Sequence, residues 1–168
     1  WVSFNWIATF SGSLRQSVDS GATWSDRADA GVPGAIIGTA SNALSSRDSR
    51  LLDTGGLLTV TLAIGELYAV SLLNLLNGAN TLAYGSPGRW EIIGAKTCTP
   101  FGGKDYVLSD LLLWRYGTEW AMSGHVVGDT VVLLDATGLQ WLAMDSSAIS
   151  QTRLYRAIRL AFASATRS

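Results

Sequence analysis

Apolar residues recur along the chain in short runs broken by glycine and polar turns, a pattern of strands rather than of long amphipathic helices. The opening WVSFNWIATF is rich in β-branched and aromatic types and predicts a strand. A second strand over residues 13–18 runs into a turn at Asp19-Ser20-Gly21, where Gly supplies the backbone freedom of a tight hairpin, and a third strand follows through Trp24. Further strands are expected over residues 57–63, 90–93, 106–114, 130–135 and 138–144. Residues 67–76 are ambiguous, because Leu72, Leu73, Leu75 and Leu76 crowd together before Asn77-Gly78 and suit a helical turn. RLYRAIRLAF fits either a strand face or a helix stripe, and the strand is preferred.

Between these runs, residues 28–53 shift to Ala, Gly, Ser and Asp with little periodicity, although Ala35, Ile36 and Ile37 could form a short strand there. A long structureless loop is uncommon inside one compact domain, so a boundary is expected near residue 50. That gives residues 1–50 as a hairpin region with linker and residues 51–168 as a C-terminal β domain. The fold class expected is all-β, an antiparallel sandwich or barrel, as one body or two small β units, with at most one or two short helices.

Composition narrows the function classes. With 12 basic and 13 acidic residues and no basic stripe, nucleic acid is disfavoured as a partner. The single Cys98 forms no internal disulfide and no thiolate metal cage. Residues 67–88 carry no charge, yet Asn74, Asn77, Gly78, Asn80 and Gly85 interrupt them, so insertion into a membrane is not expected. No signal peptide is visible, and a start at Trp1 reads as a piece of something longer. Seven Trp and five Tyr beside two Lys point to surfaces covered by partners.

The clearest local signature is SVDSGATW, in which Ser17, Asp19, Gly21 and Trp24 match the Asp-box pattern S-x-D-x-G-x-x-W. Asp accepts turn amides, Gly permits the reversal and Trp packs beneath, so the motif reads as a structural hairpin. His125, the only histidine, has Ser123, Asp129 and Asp135 nearby in sequence, but no G-x-S-x-G elbow exists, and a loop or surface histidine is the reading adopted. Glu66, Glu91 and Glu119 are the only glutamates, and nothing in their spacing nominates a glycosidase pair; most of the acidic residues read as turn-formers or solvated side chains. Cys98 reads as a small buried residue. No catalytic residue, metal ligand or cofactor site is nominated. Trp90, Trp114, Trp120 and Trp141 suit a sugar-stacking platform or, preferably, a β core or intersubunit seam.

The ordered series SVDSGATW, LLTVTLAIGEL, LLNGANTLAYG, WEIIGA, YVLSDLLLWRYGTEWA, GH, VVLLD and LYRAIRL resembles the C-terminal region of phage tail hub proteins, including the very large tail-tip protein of gene transfer agents. The resemblance runs from about Ser13 to Leu160. It carries Leu76 to Asn80 as a turn, Trp90 and Glu91 as a W-E pair, Gly117-Thr118-Glu119, then His125 and a strand from Val132 to Asp135. Relatives usually hold a basic, Gly-containing stretch before Gly-Thr-Glu, where this chain has Leu113, Trp114 and Tyr116 and keeps only Arg115. An apolar contact with a neighbouring subunit suits that departure, which nominates Trp114, Tyr116 and Trp120 as subunit or receptor contacts.

What the resemblance implies is a virion component at the distal end of the tail, a hub or baseplate module; it does not imply catalysis by this segment, and no enzyme is expected. Its expected partners are copies of itself in a three-fold assembly, other tail-tip proteins, and a host receptor or glycan. A carbohydrate-binding β module and a glycoside hydrolase fragment are the alternatives, both suggested by the Asp-box.

Overall fold

The computed structural model describes residues 12–30, 35–45, 52–135 and 146–159. Its strands are β1 (Gly12–Ser17), β2 (Ser25–Ala30), β3 (Ile37–Ala40), β4 (Leu52–Asp53), β5 (Leu58–Ile64), β6 (Thr81–Ser86), β7 (Arg89–Gly102), β8 (Asp105–Arg115), β9 (Thr130–Leu133) and β10 (Leu154–Arg159). One α-helical turn, α1 (Leu72–Leu76), and two 3-10 turns, Glu119–Gly124 and Ser146–Ala148, are the helical elements among the described residues. The fold is all-β and antiparallel, as the alternation of apolar residues predicts.

Contact between elements divides the chain into two units. In one, β1 lies between β10 and β2, so strands remote in sequence share a sheet. In the other, the pairing order β8-β5-β3-β9-β6-β7 returns from β7 to β8 and closes a six-stranded barrel, with β4 added on β8 at Leu111 and Leu112. Closure pairs each wall strand on both sides and removes the free edges of an open sheet.

The boundary expected near residue 50 falls elsewhere. β3, inside the presumed linker, hydrogen-bonds to β5 and β9 in the barrel, while β10, near the far end of the chain, pairs with β1. The composition shift marks loops, whereas unit membership is set by long-range pairing. The strands expected in residues 1–10 and 138–144, and Trp141, lie outside the described residues. The segment 81–86, passed over in the sequence, is a full wall strand paired on both sides.

The barrel interior follows strand alternation. Leu58, Val60 and Leu62 of β5 point inward between Thr59, Thr61 and Ala63, and Leu82 and Tyr84 do the same from β6. On β8 the inward phase changes, from Tyr106 and Leu108 to Leu111 and Leu113. The switch falls at Asp110, whose φ of 52° is left-handed and whose carboxylate accepts from Thr97 Oγ1 at 2.7 Å. There β8 also exchanges its partner β5 for β4. One left-handed residue thus lets a single strand serve two neighbours.

Because neighbours run antiparallel, the last residues of β3, β6 and β8 and the first of β5, β7 and β9 share one end of the barrel. The loops 116–129 and 87–88 gather at that end. α1 and the Leu76–Asn80 turn belong to the opposite end.

Candidate functional site: a buried ionic cluster beneath exposed aromatic loops

The start of β7 supplies two side chains to the loop-bearing end, Arg89 and Glu91. Gly85 allows the β6–β7 hairpin to close tightly there, since a Cβ at its φ of 142° would stand 2.0 Å from the Arg89 carbonyl oxygen. Gly124 leaves room for Arg89 itself, because a Cβ there would meet Arg89 Cδ at 2.6 Å.

His125, directly after the 3-10 turn, lies between the carboxylates of two elements. Its Nε2 donates to Glu91 Oε2 at 2.7 Å, and its Nδ1 stands 3.2 Å from Asp129 Oδ2 and 3.1 Å from Arg89 Nη1. Arg89 Nη2 donates to Asp129 Oδ1 at 2.8 Å and to Ser86 Oγ at 3.2 Å. The imidazole stacks on Tyr84 with centroids 3.9 Å apart, and the Tyr84 hydroxyl accepts the Leu44 N–H. The His125 and Glu91 side chains are each 1% exposed and that of Asp129 2%.

Two corrections follow. His125 is not a surface residue, and Glu91 is neither solvated nor a turn-former. Two carboxylates do converge, on the histidine rather than across a cleft. Their burial is tolerable because each charge meets an opposite charge or a donor.

The cluster also shapes backbone. Between Leu112 and Arg115 the β7–β8 register slips by one residue, a bulge that leaves Trp114 left-handed at φ 58°. Glu91 Oε1 accepts the Trp114 N–H at 3.1 Å, satisfying the amide that the bulge takes out of the ladder. Thr118 Oγ1 accepts the Ile92 N–H and donates to the Arg115 carbonyl, pinning the next turn to the same strand. Asp129 Oδ2 accepts the Val126 N–H at 2.9 Å. Burial raises the Asp129 pKa, but the donors Arg89, Val126 and His125, with the Arg89 charge, outweigh it and hold the carboxyl below its ordinary value.

A Ser-His-Asp reading finds only its Asp129 contact. Both imidazole nitrogens are engaged within the cluster, and Ser123 and Asp135 are exposed. Glu66 and Glu119 are exposed as well. Among the described residues no group of three or more His, Cys, Asp or Glu is arranged to hold a metal ion. Cys98 is buried, and burial pushes its thiol up to about 11. A shallow cleft on the β3–β5–β9 wall is lined by Gly38, Thr39, Thr61, Ala63 and Thr130, none of them titratable near neutral pH. Among the described residues no helix is long and apolar enough to cross a membrane.

The residues nominated as contacts divide. Trp114 packs half-buried on the core, and its indole N–H is buried without an acceptor. Tyr116 and Trp120 are 72% and 52% exposed, on loops at the barrel end that also exposes Val126 and Val127. Trp90 is half-buried on β7. A second exposed apolar group, Tyr68, Leu72, Leu73 and Leu76, belongs to the opposite end.

In the other unit the Asp-box forms the expected hairpin. Ser17 Oγ donates to Asp19 Oδ1 and accepts the Gly21 N–H; the Thr23 N–H and hydroxyl reach the Asp19 carboxylate; Trp24 Nε1 donates to the Gly21 carbonyl. Those donors, Ser17 foremost, lower Asp19 to about 2. The Arg156 guanidinium lies 4.1 Å from the Trp24 ring centroid, tying β10 to the box.

The W-E pair, Gly-Thr-Glu and the lone histidine thus meet around one buried cluster, through Glu91, Thr118 and His125. Their separation in sequence concealed this; the one available signal was that a lone His and a Glu occur inside otherwise apolar runs. No curated protein matches the chain. A protein-family model described as Rcc01698-like, C-terminal, matches residues 35–132, within the barrel unit.

Proposed function

Since the chain belongs to the Rcc01698-like, C-terminal family, a name associated with gene transfer agent-like proteins, we propose that it is a non-enzymatic structural module of a phage-type tail tip. In this reading the barrel sits in a hub or baseplate at the distal end of the virion tail. It packs there against sister copies around a three-fold axis and against other tail-tip proteins. One observation carries the reading: Tyr116 and Trp120 stand exposed at the barrel end where the only histidine and its carboxylates are shut from solvent. Large aromatic side chains displayed on a rigid support suit a protein partner, because their apolar area is recovered on contact. A substrate, by contrast, has no approach to groups only 1–2% exposed.

The test is sedimentation of the purified chain across a concentration series, beside a Tyr116→Ser, Trp120→Ser double variant. Self-association to a trimer, weakened at least tenfold in the double variant, is the expected result. A chain monomeric at every concentration would remove the sister-copy contact from the reading.

The exposed Trp120 also favours a second reading, attachment to a host glycan, since an indole face suits a pyranose ring. That reading requires a change of tryptophan fluorescence on titration with surface polysaccharide, absent in Trp120→Ser.

A further inference from the structure

We infer that residues 89–92 of β7 are a common mount which fixes the exposed loops of this barrel end as one rigid surface, with His125 as the pin between them. The inference rests on the reading of that surface as the contact with a neighbouring copy, and concerns what holds it in shape.

The β6–β7 turn, the β8 bulge and both ends of the loop 116–129 meet on four consecutive residues. Arg89 holds the β6–β7 turn through Ser86 and the loop before β9 through Asp129. Glu91 holds the bulge through the Trp114 N–H, and Ile92 donates its N–H to Thr118 Oγ1 beyond it. Tyr116 lies between those two anchors. Trp120 follows Thr118, which precedes the 3-10 turn as its N-cap residue. Val126 and Val127 are fixed at their base by Asp129, and the Gly128 N–H is bound to the Ala40 carbonyl.

The bulge before Tyr116 and the stretch bearing Val126 and Val127 are joined through one continuous path: Trp114 N–H, Glu91, His125, Asp129, Val126 N–H. Its three side chains, Glu91, His125 and Asp129, are shut from solvent at 1–2% exposed. Breaking one contact therefore leaves the next group buried and under-satisfied, so that group is expected to move rather than stay. Glu91 is central because its two oxygens serve the β8 bulge and the loop 116–129; His125 is central because its two nitrogens face different carboxylates.

The path predicts a response at a distance. Substituting His125→Phe removes the acceptor of neither the Trp114 nor the Val126 N–H, yet both hydrogen bonds should loosen together. Amide hydrogen exchange of the full chain, followed by NMR, reads this residue by residue. The expected result is at least a tenfold rise at both Trp114 and Val126, with Leu58 and Leu108 in the barrel wall still protected. A rise at Val126 with Trp114 unchanged would overturn the common mount.

If His125→Phe loses barrel protection, the nearly isosteric Glu91→Gln decides. Coupling expects faster exchange at Val126, three links away, and no change there overturns the inference. Sedimentation separates this from the function itself. Coupled exchange in a chain that never self-associates keeps the mount and removes the subunit contact. Uncoupled exchange in a chain that does associate removes the mount alone.

Discussion

At the scale of single residues, side chains whose sequence neighbourhood is that of ordinary polar positions carry the unusual energetics. Glu91 is 1% exposed and satisfies both the His125 imidazole and a backbone amide. Glu91→Ala would leave those two donors buried beside an Asp129–Arg89 pair built around them. Removing one member of a buried ionic group costs about 3–5 kcal/mol. Urea unfolding should register a loss of that size with little change in slope. Asp19 is the contrasting case, because it is itself exposed and its partners, the buried Ser17 and the exposed Thr23, are local. A chemical-shift titration of the Thr23 amide should report a midpoint at about 2, well below the ordinary value of 3.8. The group's pKa is depressed by folding, so its stabilisation of the hairpin is complete above 3.8 and lost as pH falls through about 2. A midpoint near 3.8 would mean that the Ser17 and Thr23 bonds do not form in solution.

Elements depend on a few backbone positions where strands bend or change partner. Gly85 has a φ of 142° and lies against the Arg89 carbonyl, so Gly85→Ala sets a Cβ onto backbone that cannot retreat without opening the β6–β7 hairpin. A cost of about 2–4 kcal/mol is expected from strain and overpacking together. Thermal unfolding of the variant checks it, and a Tm within a degree of the parent would contradict the tight closure. At the opposite end, Ser71 caps α1 by accepting the Asn74 N–H, and Asn80 donates to the Tyr68 and Ala95 carbonyls from a left-handed φ of 50°. The Leu76–Asn80 turn was implied by the family resemblance, and Asn and Gly tolerate its angles. What Asn80 reaches was not, since Ala95 is 15 residues away.

For the whole molecule, the closed pairing order makes the barrel self-sufficient in backbone hydrogen bonds along its wall. Residues 35–135, expressed alone, should unfold cooperatively in urea as one transition; a non-cooperative profile would show that the ring needs the remaining chain. The acid response of this unit follows from Asp129. Its pKa is lowered by folding, so its contribution holds above 3.8 and is lost as pH falls through the depressed value. Asp129→Asn should flatten that acid limb in a series of urea midpoints against pH.

The sequence by itself determined the strand-forming runs, the Asp-box hairpin, the glycine turns and the all-β class, and its motif order indicated the family. Each of these depends on residues within a few positions of one another, through alternation, turn angles or local hydrogen bonds. Only the tertiary structure decided that β3 joins the barrel, that β10 pairs with β1, that 81–86 is a wall strand, and that Glu91, His125 and Asp129 share one sealed cluster. Those outcomes turn on which distant segments pair across a closed ring. Local pattern carries little information about that choice, because any apolar strand face suits many partners until the barrel shuts.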